Sequence, residues 1–319
     1  MKKIKLKKQF LILWGNGKEY QDYMCYDLEG YKNVYVINNY EAQGWQDKRT
    51  EMELKFKNKE IGGWFFRKQC IRELKLKKNK INYLIFSEDY IQRVEWEILE
   101  ELQKQYSIKT VLYINDTIER RMNLMEDNLA IYKEKLDLII TTDRKDAIRY
   151  NIIFFPLFYS KICIDKKREI KYDISFVGRD KGREELVRKV KNEAEKKGLI
   201  AYFRLREGLN LETMREAWIP YKNILNTESQ SNCILEVLQK DQSGISLRTM
   251  EAIILNKKLL TNNADIVNYP FYDNRFIQVF SGIEDIDFEF IKKRTEVLYN
   301  YHDEYSPTQF LRKIIKILQ

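Results

Sequence analysis

Short, uninterrupted apolar runs recur along the first half of the chain: residues 10–14 (FLILW), 34–37 (VYVI), 83–86 (YLIF), 110–114 (TVLYI), 136–141 (LDLIIT) and 152–156 (IIFFP). Longer stretches lie between several of them, such as 90–105 and 117–134, in which apolar residues return at helical spacing among charges. A continuous apolar run is what a strand needs when both faces of its sheet are covered, and helices between such strands supply the cover. The pattern predicts a doubly wound α/β domain. It breaks over 156–171 (PLFYSKICIDKKREIK), which fits neither period and reads as an interdomain connection. The alternation then restarts. Strands are predicted at 173–177, 200–205, 233–238, 257–263 and 276–280. Helices are predicted at 220–229, at 247–256 and in the charged run that ends at Gly198. The reading is two α/β domains, 1–160 and 161–319.

The carboxyl-terminal SPTQFLRKIIKILQ predicts one more helix over 306–319. Ser306 is placed to cap it and Pro307 sits at its first turn. Phe310, Leu311, Ile314, Ile315 and Leu318 share a face, with Arg312, Lys313 and Lys316 elsewhere. A basic amphipathic helix of this kind suits a membrane surface, and more commonly docks on the protein's own core.

Composition narrows the picture. The 319 residues are 44% hydrophobic and 33% charged, enough for two cores, and 4 prolines with 12 glycines argue against long low-complexity segments. The net charge of +9 suits phosphates, nucleic acid or an anionic membrane, or reflects only Lys and Glu alternating on exposed helix faces. Cys25, Cys70, Cys163 and Cys233 are spread apart with no C-x-x-C pair, so buried free thiols in a reducing compartment are expected and a zinc site is not. His302 is the sole histidine, which excludes chemistry needing two. The amino-terminal MKKIKLKKQFLILWGNG is basic and then apolar, but its five-residue apolar run is too short for a secretory or spanning segment. The expectation is a cytoplasmic protein, with peripheral contact to the inner face of a membrane left open.

In open α/β sheets ligands bind beyond the carboxyl ends of the strands, which selects a few loops. In the second half these are GRDKGR and QKDQSGIS. Gly178 allows backbone to approach a ligand, and Arg179, Lys181 and Arg183 are donors suited to a diphosphate. Gln242, Ser243, Gly244, Ser246, Arg248 and Glu251 crowd the start of the 247–256 helix, where unpaired N–H groups and the helix dipole favour an anion. In the first half, Gly15, Asn16 and Gly17 form a tight strand-to-helix turn. It matches the first two glycines of a dinucleotide fingerprint, but Tyr20 stands in place of the third. That turn is assigned to an acceptor cleft. Glu88, Asp89, Asp116 and Asp143 follow strands of the first half and are the carboxylates available as a general base, with Asp116 first and Glu88 second. Asp116 also begins DTIE, which resembles a capping box.

These residues carry a resemblance. FVGRDKGR is similar to the glycine–arginine turn and following lysine of GT-B glycosyltransferases, and SGISLRTME is similar to their glutamate-flanked helix start, with Glu251 at the second glutamate and Ser243 in place of the first. The pattern of DQSGISLRTMEA, KKLLTNN and YPFYDNRFIQVF looks closest to a bacterial group associated with capsule, lipopolysaccharide or exopolysaccharide assembly. The resemblance covers roughly residues 173–280, and the first half only by architecture. It implies two Rossmann-like domains facing across a cleft. It implies a nucleotide-sugar donor bound by the second domain, with Arg179 and Lys181 on the diphosphate and Glu251 on the ribose. A glycan or lipid-linked acceptor would lie on the first. It also implies sugar transfer without a metal or other cofactor, since the sole D-x-D, Asp285–Asp287, lies in an acidic run near the carboxyl end. The alternative is a non-catalytic module of the same fold that binds nucleotide or nucleic acid, although no RNA-binding motif is present.

Overall fold

The computed structural model describes residues 8–14, 19–38, 81–91, 94–118, 128–161, 169–206, 219–240 and 242–319. The chain divides into two compact units, one of residues 1–160 with 305–319 and one of residues 161–304.

The first unit is built on strands β1 (Phe10–Trp14), β2 (Val34–Asn38), β3 (Tyr83–Ser87), β4 (Lys109–Ile114), β5 (Leu138–Thr141) and β6 (Ile153–Phe154). They pair in the order β2-β1-β3-β4-β5-β6, all parallel. Every residue of β1 and β3 is buried, because helices cover both faces, and this is why these strands read as unbroken apolar runs. The described helices are α1 (Glu19–Cys25), α2 (Trp96–Tyr106), α3 (Leu129–Lys135) and α4 (Arg144–Tyr150). Helix α2 starts later than its apolar spacing predicts. Residues 87–91 are drawn into turns instead, with Tyr90 N–H donating to Ser87 O at 3.0 Å, and Val94 N–H donates to Ile91 O at 3.1 Å. Half of the predicted 117–134 helix, residues 119–127, lies outside the described residues.

The second unit carries β7 (Tyr172–Arg179), β8 (Ala201–Arg206), β9 (Ser231–Glu236), β10 (Lys258–Thr261) and β11 (Ile277–Val279), with helices α5 (Glu184–Lys196), α6 (Tyr221–Ser229), α7 (Leu247–Leu255) and α8 (Phe288–Lys292). Its order is β11-β10-β9-β7-β8, again parallel throughout. Strand β7 has its sequence successor β8 on one side and β9 on the other. The direction of winding therefore reverses between β7 and β9, and the carboxyl ends of these two strands flank the crevice such sheets use for ligands. In the first unit the same reversal falls between β1 and β3.

The chain's last helix, α9 (Pro307–Leu318), returns to the first unit; the sequence reading had kept 306–319 with the second domain. The reason is aromatic packing. Phe310 stacks on Phe158 at 4.6 Å between ring centroids and lies 4.9 Å from Tyr113 of β4 and 5.4 Å from Phe155. Burying one such ring contributes about 1.5–3 kcal/mol. Tyr159 N–H donates to Tyr305 O at 2.9 Å and pins the start of the helix. Ser306 Oγ accepts from Gln309 N–H, the N-cap that the sequence predicts. Phe310, Leu311 and Ile314 are buried while Arg312, Lys313 and Lys316 are exposed, so the face that could have met a membrane is spent on the core. Among the described residues no helix is long and apolar enough to cross a membrane. Cys25 and Cys233 are buried free thiols, and burial pushes both up to about 12. Cys70 and Cys163 lie outside the described residues.

Candidate functional site

At the reversal point of the second sheet, two arginines from two helix starts converge on one strand end. Phe176, two residues before Gly178 on β7, presents its ring to both: the Arg248 guanidinium lies 4.7 Å from the ring centroid and that of Arg183 lies 5.3 Å away. Arg248 Nη2 donates to Val177 O, and Arg183 Nη1 donates to Val237 O, which follows β9, so Arg183 ties the two flanks of the crevice together. Arg183 also donates from Nε and Nη2 to Arg179 O, at 3.2 and 3.1 Å. The absence of a side chain at 178 is what admits Arg248: a Cβ there would stand 2.4 Å from Arg248 Nη2 and 3.2 Å from Arg183 Nη2. Beside this pair lies an open depression of about 330 Å³ lined by Gly182, Arg183, Glu185, Leu186, Lys189, Val237 and Leu238.

The GRDKGR loop is shaped by its aspartate. Lys181 and Gly182 take left-handed backbone (φ 50° and 78°), which turns the chain back so that Asp180 Oδ1 accepts from Arg183 N–H at 3.1 Å and Glu184 N–H at 2.8 Å. Asp180 thereby occupies the amide groups that the start of α5 would otherwise offer an anion. The cations remain. Arg179 and Lys181 are exposed, while Arg183 is turned inward onto Phe176.

The start of α7 is anchored from beneath by a residue the sequence reading did not single out. Glu236, the last residue of β9, is fully buried and accepts hydrogen bonds from Ser246 Oγ, from Thr249 Oγ1 at 2.6 Å and from Thr261 Oγ1 at 2.6 Å. Ser246 Oγ in turn accepts from Arg248 N–H at 3.1 Å as the N-cap. The helix ends at Asn256 in the left-handed conformation (φ 52°). Asn263 Nδ2 donates to Gly244 O at 3.3 Å, and Gln242 Oε1 accepts from Gln239 N–H at 3.2 Å, so Gly244 is held by the residue after β10 and Gln242 by a contact within the loop. Ser243 is buried. The signal for Glu236 was available: it is the one charged residue in the otherwise apolar CILEVL.

Glu251, the residue the resemblance puts on a ribose, lies on the second turn of α7. It is 2% exposed and accepts a hydrogen bond from Tyr221 of α6. Glu228, also on α6, is likewise 2% exposed. The Glu251 carboxyl thus faces the α6–α7 contact in this conformation.

In the first unit, β4 is one of the two middle strands, as the strength of its apolar run predicts, and it carries Asp116 just beyond its end. Asp116 is partly exposed and its Oδ1 accepts from Thr117 N–H at 2.9 Å. Glu88 is 1% exposed, and its Oε2 accepts from Asn115 N–H at 3.1 Å, tying the end of β3 to the end of β4. Asp143 caps α4 through Lys145 N–H and Asp146 N–H. Of the candidate carboxylates Asp116 is therefore the one whose surroundings leave it open to solvent, whereas Glu88, Asp89 and Asp143 are buried. Gly15, Asn16 and Gly17 lie outside the described residues. Asp285 and Asp287 each turn to nearby backbone: Asp285 Oδ2 accepts from Ser281 and Gly282 N–H at 2.9 and 3.0 Å, and Asp287 Oδ1 from Glu289 N–H at 2.9 Å. Among the described residues no three His, Cys, Asp or Glu side chains gather as metal ligands.

No protein-family model matches the chain, and no curated protein matches it. Among solved structures it is similar to UDP-GlcNAc 2-epimerase from Methanocaldococcus jannaschii, at 14% identity over 98% of this chain and 99% of that one, with a TM-score of 0.46. It is also similar to Os79 from O. sativa in complex with UDP, at 9% identity over 97% of this chain and 94% of that one, with a TM-score of 0.40. Neither likeness bears on function.

Proposed function

We propose that the chain is a metal-independent glycosyltransferase that moves a sugar from a nucleotide-sugar donor to a surface-glycan or lipid-linked acceptor. The observation that carries this reading is the convergence of Arg183 and Arg248 on Phe176 and Gly178 at the reversal point of the second sheet. Two guanidinium groups held over an apolar ring, where winding reverses and backbone is bare, form a seat for a compact dianion such as a diphosphate. Exposed Arg179 and Lys181 extend the positive rim. The diphosphate gains negative charge as the bond to the sugar breaks, and these fixed cations stabilise that charge without a metal. Asp116 is the group we assign to take the proton of the acceptor hydroxyl in the first unit, being the partly exposed carboxylate just beyond the end of a middle strand. The bacterial capsule and lipopolysaccharide association rests on the sequence resemblance alone.

The test is a thermal-shift and calorimetric panel of nucleoside diphosphates, NAD and oligonucleotides, run with and without EDTA. A ligand present at a hundred times its dissociation constant stabilises the fold by about 2.7 kcal/mol. Nucleoside diphosphates are expected to stabilise the protein in EDTA. Stabilisation by NAD or oligonucleotides alone would overturn the proposal, and binding without sugar transfer would reduce it to nucleotide binding.

A further inference from the structure

Arg248 has no ion-pair partner among the described residues. Its Nη2 donates to Val177 O, its guanidinium lies over the Phe176 ring, and its Nε is buried without a hydrogen-bond partner. Glu236, at the end of β9, is fully buried and likewise has no ion-pair partner among the described residues. It meets hydroxyl groups only. Ser246 Oγ and Thr249 Oγ1 donate to its Oε1, and Thr261 Oγ1 donates to its Oε2 at 2.6 Å. A hydroxyl has one hydrogen, so Ser246, having given its own to Glu236, can only accept from elsewhere. It accepts the Arg248 N–H at 3.1 Å. Thr261 Oγ1 in the same way accepts the Asn263 N–H at 3.0 Å. Glu236 thus joins the end of β9, the end of β10 and the first turn of α7. From that turn Arg248 reaches β7, which pairs with β9.

We infer that Glu236 is a positioning residue for the nucleotide seat: it aims Arg248 by fixing the start of α7 through hydroxyl groups, without forming an ion pair with it. A carboxylate bound directly to the guanidinium would hold it as firmly, but would take the donors and the charge that a diphosphate needs. A hydroxyl relay fixes the place of the arginine and leaves those donors to the ligand, so no reorganisation is needed when the ligand arrives. Ser246, a donor-binding candidate from the sequence, is by this account a relay, its hydrogen committed inward to Glu236. What the joint requires at 236 is reach and acceptor oxygen rather than charge. Glutamine has the reach. Its amide oxygen can take the Ser246 and Thr249 hydrogens, and its amide nitrogen can donate to Thr261 Oγ1, which has two lone pairs and uses one on Asn263 N–H. Aspartate keeps the charge but is one methylene short of the three hydroxyls. The effect on ligand rests on the nucleotide reading above; the aiming of Arg248 does not.

Calorimetric titration with UDP, GDP and ADP separates position from charge. Glu236→Gln is expected to bind within about threefold of wild type, and Glu236→Asp to bind about fivefold or more weaker. Arg248→Ala is expected to bind more than about tenfold weaker, and adding Glu236→Asp to it should cost no further affinity, because the side chain that Glu236 places is gone. A general loosening of the fold would weaken binding in either background. Glu236→Asp binding as wild type, glutamine weaker than aspartate, or an aspartate loss that persists without Arg248 overturns the inference. Urea unfolding of the same variants needs no ligand. If Glu236 places Arg248 on Val177 O and Phe176, the stability losses of Glu236→Asp and Arg248→Ala should total less together than the sum of the two alone, and strict additivity overturns the inference. Should Glu236→Asp fail to fold, Ser246→Ala cuts the same relay at its other end and takes its place in both cycles. Failure of wild type to bind any of the three diphosphates overturns the donor reading instead, and the urea cycle still decides whether Glu236 places Arg248.

Discussion

Gly178 and Arg248 occupy one another's space: a methyl group on the first would stand 2.4 Å from a guanidinium nitrogen of the second. The atom in the way is the far end of a flexible side chain, so Gly178→Ala is expected to move Arg248 rather than the strand. Replacing a strand glycine by alanine also removes freedom from the unfolded chain, so the change in stability should stay within about 1 kcal/mol. Nucleoside diphosphate affinity should fall by about tenfold or more, since a charged hydrogen bond contributes ~1.5–3 kcal/mol. Paired urea and calorimetric titrations check both. Unaltered affinity in a folded variant would remove Arg248 from the binding seat.

Arg248→Lys keeps the charge but loses the planar group that lies over Phe176 and reaches Val177 O. It is expected to bind nucleoside diphosphate weaker by about 1.5–3 kcal/mol while the protein folds normally. Equal affinity for the two side chains would show that only a point charge matters there.

Glu236 takes three hydroxyl hydrogens, from Ser246, Thr249 and Thr261, with no solvent access. Glu236→Ala strands the buried hydroxyls of Thr249 and Thr261 and the half-buried one of Ser246, each buried one costing about 1–3 kcal/mol, so a loss of about 3 kcal/mol or more is expected in urea titrations. The loss should be greater than for Thr261→Val, which removes one donor and leaves the carboxylate two. Similar losses for both would mean that the carboxylate is not the hub of the cluster.

Alanine at Asp116 is expected to reduce sugar transfer by roughly 10²–10⁴-fold with donor affinity unchanged, as for loss of a general base. Alanine at buried Glu88 or Asp143 should act through stability instead, because each binds backbone amides. If Asp116→Ala stays within about tenfold of the parent, the base lies elsewhere or the transfer proceeds without one.

Phe310→Ala should cost about 3–5 kcal/mol, the usual price of deleting a buried aromatic ring. The loss should appear as faster hydrogen exchange at the amides of β4, whose Tyr113 packs on that ring. Exchange confined to α9 itself would mean the helix is only loosely held.

Both sheets were legible in the sequence because parallel strands covered on two faces leave unbroken apolar runs, and FLILW and TVLYI could be little else. The helix caps at Ser246 and Ser306 were legible for a similarly local reason, a hydroxyl placed just before an apolar period. Arg183 and Arg248 are both candidates from the sequence, but their meeting over Phe176 is not legible there, because Arg248 is brought to β7 only by β7 lying beside β9. Glu228, Glu236 and Glu251 show the limit most clearly. A buried and an exposed glutamate are the same letter, and only strand and helix packing tells which has lost water. The same holds for α9, whose amphipathic pattern fixed a buried face without saying which core would receive it.

That return of α9 makes the second unit, residues 161–304, an insertion within the first. During synthesis the inserted unit is complete as soon as its own segment has emerged, and its contacts can form at once. The first unit has its strands earlier but must wait, with the Tyr113, Phe155 and Phe158 rings uncovered, until Phe310 arrives from the far end of the chain. The unit made first is therefore the one finished last, and its exposed aromatic surface is where a nascent chain would first need a chaperone.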